Sequence, residues 1–241
     1  MTAETWPNLV TMFFDQAAEK RDAPFLWAKT DGTYHDFSWS QAASIIEALA
    51  HGLKAAGVNP GDRVVLISEN RPEWLMADMA IMAAGGISVP AYTTNTTADH
   101  VHILSDSGAV GVIVSNDRLA KSLIPAAEQV ESAKFIVGID ALSDTGTGTL
   151  QSHTWASMTD SNDKEGTIKE EAQSLKRTDT ACIIYTSGTG GAPKGVLLSH
   201  GAILHNCAGS ADAIEPLGLD DNVFLSFLPL SHSYEHMAGQ F

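Results

Sequence analysis

Short apolar stretches alternate with amphipathic ones along most of the chain. Runs rich in valine and isoleucine lie at residues 63–68, 86–92, 109–115 and 134–139. Segments in which apolar residues recur at helical intervals lie between them, at residues 70–84, 97–105 and 118–131. Strands separated by helices of about ten or more residues are typical of βαβ units. The pattern therefore predicts an α/β fold in βαβ layers around a parallel sheet.

The N-terminal part carries clear turn and cap signals. A hairpin is predicted at residues 25–39, because the Asp31-Gly32 dipeptide favours the positive φ angles of a type I′ turn. A helix follows it. Ser38 and Gln41 have the spacing of a capping box at its start, and Gly57 suits its end.

Residues 140–177 interrupt this rhythm. They are dominated by serine, threonine, aspartate, glycine, lysine and glutamate. Such a composition predicts a solvated, variable connection with one short helix. The strand and helix pattern then resumes, with strands at 181–185, 195–199 and 223–228 and a helix at 202–213.

Composition and charge restrict the partners. The 241 residues carry 14 basic and 29 acidic side chains, for a formal net charge of −15. This balance argues against nucleic acid as a partner, because nucleic acid is bound chiefly by lysine and arginine. Two cysteines without CxxC spacing and no recognisable signal peptide favour a cytoplasmic protein. The sequence leaves oligomeric state and peripheral membrane contact open.

A glycine-rich loop after the strand at 181–185 carries the main chemical signal. Residues 186–195 contain four glycines, three hydroxyl side chains, one lysine and no carboxylate. Glycines let backbone N–H groups converge on an anion, and a lysine adds a charge suited to phosphate oxygens. From residue 178 to 241 this lysine is the only basic side chain among six acidic ones. The predicted phosphate-binding residues are Thr186, Ser187, Gly188, Thr189, Gly190, Gly191, Lys194 and Gly195.

Two alternatives to this interpretation can be weighed from the spacing. A Walker-type P-loop needs a serine or threonine after its lysine and a second glycine before it. Here Pro193 precedes Lys194 and Gly195 follows it, so the loop is not that of a P-loop kinase or GTPase. A surface loop without function is disfavoured, because the segment lies between two apolar strands.

The segment Tyr185-Thr-Ser-Gly-Thr-Gly-Gly-Ala-Pro-Lys-Gly195 resembles the phosphate-binding signature of the adenylate-forming superfamily. That superfamily includes acyl-CoA synthetases, luciferases and the adenylation domains of peptide synthetases. Its pattern usually has threonine where this chain has Gly190. Segments at residues 61–64, 70–74 and 85–90 are similar to the same family. The resemblance implies that residues 1–241 are the N-terminal part of an AMP-binding (adenylation) domain of a fatty acyl-CoA synthetase.

A second candidate site begins at Leu228-Pro-Leu-Ser-His232, where a predicted strand ends. In α/β folds ligands tend to bind at strand ends. By the resemblance, this motif borders the acyl-substrate pocket and His232 lies beside the reacting carboxylate. The resemblance assigns substrate contacts to His232, Ser233 and Glu235, and Glu235 is similar to the long-chain branch of the synthetases.

The same segment has a rival interpretation. His232-Ser-Tyr-Glu-His236 matches the HxxEH pattern of a class of zinc proteases, in which two histidines share a metal. No third ligand can be identified from the sequence, and the preceding Leu-Pro-Leu-Ser belongs to the synthetase motif. The zinc interpretation is therefore the weaker one.

The resemblance also implies a reaction and its cofactors. A fatty acid carboxylate is activated by ATP as an acyl-adenylate, and coenzyme A then displaces AMP to form a thioester. Lys194 and His232 are the catalytic residues that it implies, and the Thr186 hydroxyl is expected near Mg²⁺.

Several parts of that family's machinery are not found in the 241 residues. They are an acidic magnesium ligand, the adenine and ribose contacts, and a C-terminal domain with a catalytic lysine. We therefore expect the 241 residues alone not to turn over. The alternative function is a non-catalytic nucleotide- or acyl-binding module of the same fold.

Overall fold

The structure of the protein is a computed structural model. The structure describes residues 5–160, 168–186, 192–214, 218 and 223–239. Its strands are β1 (Pro24–Thr30), β2 (Thr33–Ser38), β3 (Arg63–Ile67), β4 (Ile87–Pro90), β5 (Gly111–Val114), β6 (Phe135–Gly138), β7 (Gln151–Thr154), β8 (Thr180–Thr186) and β9 (Lys194–Ser199).

Seven of these strands form one sheet in the order β7-β6-β5-β3-β4-β8-β9. All neighbours in it run parallel except β8 and β9, which pair antiparallel at one edge. The central strands consist mainly of valine and isoleucine because both faces of the sheet are covered. The predicted α/β class with a largely parallel sheet is confirmed.

Helices cover the sheet in two layers. The described helices are α1 (Leu9–Lys20), α2 (Trp39–Ala55), α3 (Pro72–Ala83), α4 (Thr97–Ser107), α5 (Asp117–Ala127), α6 (Trp155–Met158), α7 (Ile168–Ala172), α8 (His200–Ile214) and α9 (Ser233–Ala238). Val64 and Leu66 face a core formed with α1, α2, α3 and α8, whereas Val65 and Ile67 face a core formed with α4 and α5. This alternation follows from the period of two along a strand.

The local signals in the N-terminal part are confirmed. Asp31 and Gly32 have φ angles of 51° and 83°, as a type I′ turn requires, and they join β1 to β2. Ser38 and Gln41 form the predicted capping box at the start of α2, and Ser38 accepts a hydrogen bond from the Gln41 N–H at 3.2 Å.

Helix α1 was not predicted from the sequence. In α1, the apolar residues Leu9, Val10, Phe13, Phe14 and Ala17 are buried at helical spacing. The Asn8 side chain caps this helix by accepting a hydrogen bond from the Thr11 N–H at 2.8 Å. Both the cap and the apolar spacing are visible in the sequence.

The polar connection at 140–177 is more ordered than expected. Besides two short helices, α6 and α7, its described residues contain β7, which extends the sheet beside β6. The sequence of β7 is Gln-Ser-His-Thr, and its hydrogen bonds come from the backbone. A polar edge strand of this kind shows no hydrophobic alternation, which is why the prediction of a single short helix was wrong.

The strand predicted at 223–228 is also wrong. These residues have no strand conformation and pair with no strand of the described chain. Val223 is 84% exposed and Phe227 is 72% exposed. An apolar run becomes a strand only where a neighbouring strand supplies hydrogen-bond partners.

A buried histidine at the start of α8 predicts a pH dependence of stability. His200 is 1% exposed, and its Nδ1 accepts a hydrogen bond from the Leu9 N–H at 3.4 Å. Burial lowers the pKa of His200 to about 4, although Asp179 and Asp78 act in the opposite direction. The neutral ring therefore stabilises the fold above a pH of about 6.5, and this contribution is lost as the pH falls from about 6.5 towards 4.

We expect His200→Gln to weaken this dependence. Between pH 7 and pH 5 the unchanged protein should lose about 2 kcal/mol more free energy of unfolding than the variant. Glutamine can still accept the Leu9 N–H, so it changes titration more than packing. Urea unfolding at the two pH values measures the difference, and equal losses in the two proteins would contradict this account of His200.

Candidate functional site

The carboxyl ends of β3, β5 and β8 meet at one edge of the sheet. Parallel strands bring their carboxyl ends together, and α/β proteins bind ligands there. Glu69 and Asn70 follow β3, Ser115 follows β5, and Thr186 ends β8. The segment before α9 joins this edge through Asn70. Both sequence motifs with candidate chemistry therefore lie at the same edge.

Two predicted phosphate-binding residues face each other across the β8–β9 pair. Thr186, the last residue of β8, is the direct partner of Lys194, the first residue of β9, and both are exposed. No ion pair to Lys194 occurs among the residues that the structure describes. The other predicted members of the loop, Ser187, Gly188, Thr189, Gly190 and Gly191, lie outside the described residues.

Gly195 has a packing reason to be glycine. An added Cβ would lie 2.8 Å from Ile183 Cγ2 and 3.1 Å from Tyr185 Cζ. Gly195 is also the strand partner of Tyr185. The glycine after the lysine therefore lets β9 approach the tyrosine ring, whatever role its N–H has toward phosphate.

Helix α4 contacts Tyr185 and Pro193, on either side of the glycine-rich residues, and these contacts were not predicted from the sequence. The Tyr185 hydroxyl donates to Asp106 Oδ2 at 2.7 Å, and burial together with Asp106 raises the pKa of Tyr185. His102 Nε2 lies 2.7 Å from the Pro193 carbonyl oxygen and donates to it. The His102 ring also meets the Tyr185 ring edge-on, with centroids 6.1 Å apart.

Asn70 fixes the segment that leads to His232. Its Nδ2 donates to Ser226 Oγ at 2.8 Å and to the Leu228 carbonyl oxygen at 2.7 Å. Its Oδ1 accepts from the Leu230 N–H at 3.1 Å. Asn70 lies in one of the family-like segments of the sequence, but its contacts with the second motif were not predicted.

His232 begins α9 as its N-cap and is exposed. Its Nδ1 accepts the Tyr234 N–H at 3.2 Å. A ring nitrogen that accepts carries no proton, so the neutral ring holds its proton on Nε2. No hydrogen-bond partner for Nε2 occurs among the described residues. His232 can therefore offer an N–H donor to a ligand at the sheet edge.

The three predicted substrate-contact residues do not share one surface. His232 and Ser233 are exposed, whereas Glu235 is 0% exposed. Both Glu235 carboxylate oxygens are buried, and neither has a hydrogen-bond partner among the described residues. The substrate contact of Glu235 stays a prediction.

The two histidines of the HxxEH pattern lie in different surroundings. His236 is 1% exposed and hydrogen-bonds to Asp78 Oδ2 through Nε2 at 2.9 Å, whereas His232 faces outward as the helix cap. Within the described part of the chain no group of three His, Cys, Asp or Glu side chains could hold a metal ion.

Glu69 forms a second network at the sheet edge. It accepts hydrogen bonds from Ser115 Oγ at 2.6 Å, from Asn116 Nδ2 at 3.2 Å and from Arg118. Partial burial raises the pKa of this carboxylate, but the hydrogen bonds outweigh burial and lower the pKa to about 2. Glu69 is therefore ionised at neutral pH and ties the end of β3 to the residues after β5.

Every helix in the described part of the chain is too short or too polar to span a lipid bilayer.

A family model described as AMP-binding enzyme matches residues 13–241. The long-chain-fatty-acid–CoA ligase FadD15 of Mycobacterium tuberculosis is 32% identical over 225 residues, which are 93% of this chain and 36% of that protein. The peroxisomal long chain acyl-CoA synthetase 7 of Arabidopsis thaliana is 34% identical over 223 residues, which are 86% of this chain and 30% of that protein. The chain thus spans about a third of the length of these relatives.

Solved structures share the fold. A structure described as a long-chain-fatty-acid CoA ligase from Rhodopseudomonas palustris superposes with a TM-score of 0.74 at 23% identity and covers 93% of this chain and 52% of that one. A fatty acyl-adenylate ligase from L. pneumophila, solved with acyl adenylate and pyrophosphate, superposes with a TM-score of 0.70 at 23% identity and covers 95% and 36%. At this identity the likeness concerns the fold.

Proposed function

Because the chain belongs to the AMP-binding enzyme family, we propose that it is the N-terminal part of an ATP-dependent long-chain fatty acid–CoA ligase. The observation that carries the proposal is the pairing of Thr186 with Lys194 at the end of β8, on a loop held by α4. The names of the relatives supply the substrate class. Since the chain spans about a third of those relatives, the activity is proposed for the whole protein.

The proposed reaction has two steps. First, a carboxylate oxygen of the fatty acid forms a bond to the α-phosphorus of ATP, and the bond from that phosphorus to the bridging oxygen breaks, releasing pyrophosphate. Second, the coenzyme A thiolate attacks the carbonyl carbon of the acyl-adenylate, and AMP leaves. Neither step needs a protein nucleophile, so catalysis depends on positioning and on stabilising charge.

Lys194 is proposed to hold the β- and γ-phosphates together with backbone N–H groups of the loop. Its side chain is exposed at the first position of β9, and the described residues offer it no carboxylate. An ammonium group without an acidic partner is available to phosphate oxygens. The departing pyrophosphate gains negative charge, so a cation at this place stabilises the transition state.

Thr186 fits a role beside a magnesium ion. Its exposed hydroxyl lies on the strand residue opposite Lys194, and Mg²⁺ prefers oxygen ligands. Magnesium usually keeps several waters and binds substrate phosphates, so a single protein oxygen is compatible with it. When bound, the ion would neutralise charge on the phosphate oxygens.

His232 is proposed to orient the fatty acid carboxylate. The hydrogen bond from the Tyr234 N–H to Nδ1 leaves the proton of the neutral ring on Nε2. An Nε2–H donor can hold one carboxylate oxygen and leave the other for attack on phosphorus. Asn70 anchors the preceding residues and so limits where the ring can lie.

The test is carboxylate-dependent exchange between ATP and labelled pyrophosphate, measured on the complete protein with a series of saturated fatty acids. The proposal expects exchange only with a fatty acid present and the highest rates with long chains. A protein that binds Mg-ATP or fatty acid but exchanges no pyrophosphate with any acid would instead be the non-catalytic binding module.

The 241-residue chain is proposed to be inactive by itself, since its relatives are about three times longer. We expect it to show no exchange above background under conditions in which the complete protein exchanges pyrophosphate. Measurable exchange by the isolated chain would contradict this part of the proposal.

A further inference from the structure

Asp78 and His236 form an ionisable pair inside the apolar core. Asp78 is 0% exposed and His236 is 1% exposed, and His236 Nε2 lies 2.9 Å from Asp78 Oδ2. His236 Nδ1 lies 3.8 Å from Cys182 Sγ, and the ring meets Trp74 edge-on with centroids 5.6 Å apart. A single imidazole thus contacts residues of α3 and β8 from α9.

The location of Asp78 is unusual for a carboxylate. Helix α3 has the sequence Pro-Glu-Trp-Leu-Met-Ala-Asp-Met-Ala-Ile-Met-Ala, and ten of its twelve residues are buried. Replacing a buried ion pair by apolar side chains often leaves stability unchanged or raises it, whereas removing one partner is strongly destabilising. Stability alone therefore does not explain the pair, and a role in fixing geometry does.

The charges around His236 are consistent with an ion pair at neutral pH. Burial lowers the pKa of His236, but the Asp78 carboxylate outweighs burial and raises the pKa to about 10. A protonated ring donates from Nε2 to Asp78 and from Nδ1 to the Cys182 sulfur. Glu235 is the acidic residue next to His236 on α9. His200 of α8 interacts electrostatically with Asp78, and it is uncharged at neutral pH.

The pair lies between the two candidate motifs. Asn70 hydrogen-bonds to the residues before His232. Asp78, eight positions after Asn70 in the sequence, hydrogen-bonds to His236, which follows His232 on α9. Asn70 lies two residues before α3, and Asp78 lies about 9 Å along the helix from Pro72, so the two anchors contact the segment at separate points. On the other side of His236, Cys182 is four residues before Thr186 in β8. The contacts therefore connect the position of His232 to the strand that carries the loop.

We propose that the Asp78–His236 pair is a positioning device that holds His232 at a fixed place relative to Thr186 and Lys194. Neither Asp78 nor His236 contacts substrate in this proposal; they act through the placement of α9. The kinetic consequence depends on the proposed ligase function, whereas the structural consequence does not.

The kinetic test uses the complete protein with Asp78→Leu, which removes the acceptor for His236, and with Met79→Ala as a matched control that opens space in the same helix. Asp78→Leu should raise the KM for the fatty acid about tenfold and leave the KM for ATP within about twofold, because a displaced His232 no longer orients the carboxylate. Met79→Ala should lower the thermal midpoint without this difference between substrates. An equal effect on both KM values, or the same split in Met79→Ala, would overturn the proposal.

A conservative variant separates the contact from the charge. Asp78→Asn keeps a side-chain oxygen that can accept from the Nε2–H of a neutral His236, so the contact between α3 and α9 is retained. We expect its KM for the fatty acid to stay within about threefold of the unchanged value, in line with a role of the contact in placement. An Asp78→Asn protein whose KM is raised as much as that of Asp78→Leu would contradict the proposal.

An NMR measurement decides the inference without any turnover. In protein labelled with ¹³C-histidine, Asp78→Leu should shift the His232 signals while Met79→Ala leaves them in place. His232 signals that are unmoved in Asp78→Leu would refute the positioning role. If the unchanged protein exchanges no pyrophosphate, the ligase proposal fails and these spectra still decide the inference.

Discussion

Replacing Lys194 with alanine in the complete protein is expected to reduce fatty-acid-dependent ATP–pyrophosphate exchange about 100-fold. The size follows from the loss of one group that stabilises transition-state charge, which typically costs about 10²–10³ in rate. Fold stability should hardly change, because the Lys194 side chain is exposed and forms no ion pair with the described residues.

The matched control for this variant is Lys121→Ala. Lys121 is an exposed lysine on α5, outside the sheet edge that carries the candidate site. It removes the same charge from the same acidic protein, so it accounts for any general change in the field that ATP meets. Exchange by Lys194→Ala that matches Lys121→Ala would remove Lys194 from the mechanism.

Alanine at two glycines should change stability in opposite directions. At Gly111 in β5, an added Cβ would lie 2.1 Å from Phe135 Cζ and 2.3 Å from its Cε1. Phe135 is the strand partner of Gly111 and is 1% exposed, so its ring has no open space to move into. Overpacking of this kind costs about 1–3 kcal/mol.

At Gly209 in α8, an added Cβ would meet no atom of the described residues within 4 Å. Alanine in place of glycine inside a helix gains about 0.5–1 kcal/mol. Urea unfolding of Gly111→Ala and Gly209→Ala, with free energies compared at equal slope, measures both signs. A Gly111→Ala protein as stable as Gly209→Ala would show that the ring does not cover Gly111 as described.

Most of the layered fold could be predicted because it depends on local patterns. The valine and isoleucine runs of β3, β5 and β6 are buried on both sides, and the caps of α2 and the turn at Asp31-Gly32 depend on neighbours in sequence. Helix α1 could have been found in the same way from its cap at Asn8. The errors occurred where structure depends on a distant partner.

Two segments illustrate those errors. β7 is polar and becomes a strand only because β6 offers an open edge. Residues 223–228 are apolar except for Ser226, as in a buried strand, but in the described chain they meet the Asn70 side chain instead of a strand. Hydrophobic pattern identifies a potential strand, and long-range pairing decides the outcome.

The candidate site divides in the same way. Thr186, Lys194 and His232 could be proposed from the sequence because each lies in a short motif with its own chemical composition. His102, Asn70 and Asp78 were not assigned roles, because their partners at Pro193, Leu228 and His236 are many residues away in the chain. For Asp78 a signal existed: it is the one charged residue in the apolar stretch from Leu75 to Ala91.

The central claim is that the loop between β8 and β9 binds the triphosphate of ATP. Crystals of the complete protein grown with Mg-ATP test it most directly. The account predicts β- and γ-phosphate oxygens on the backbone N–H groups of residues 186–195, with Lys194 Nζ about 3 Å from one of them. A triphosphate bound elsewhere while that loop stays empty would contradict the account.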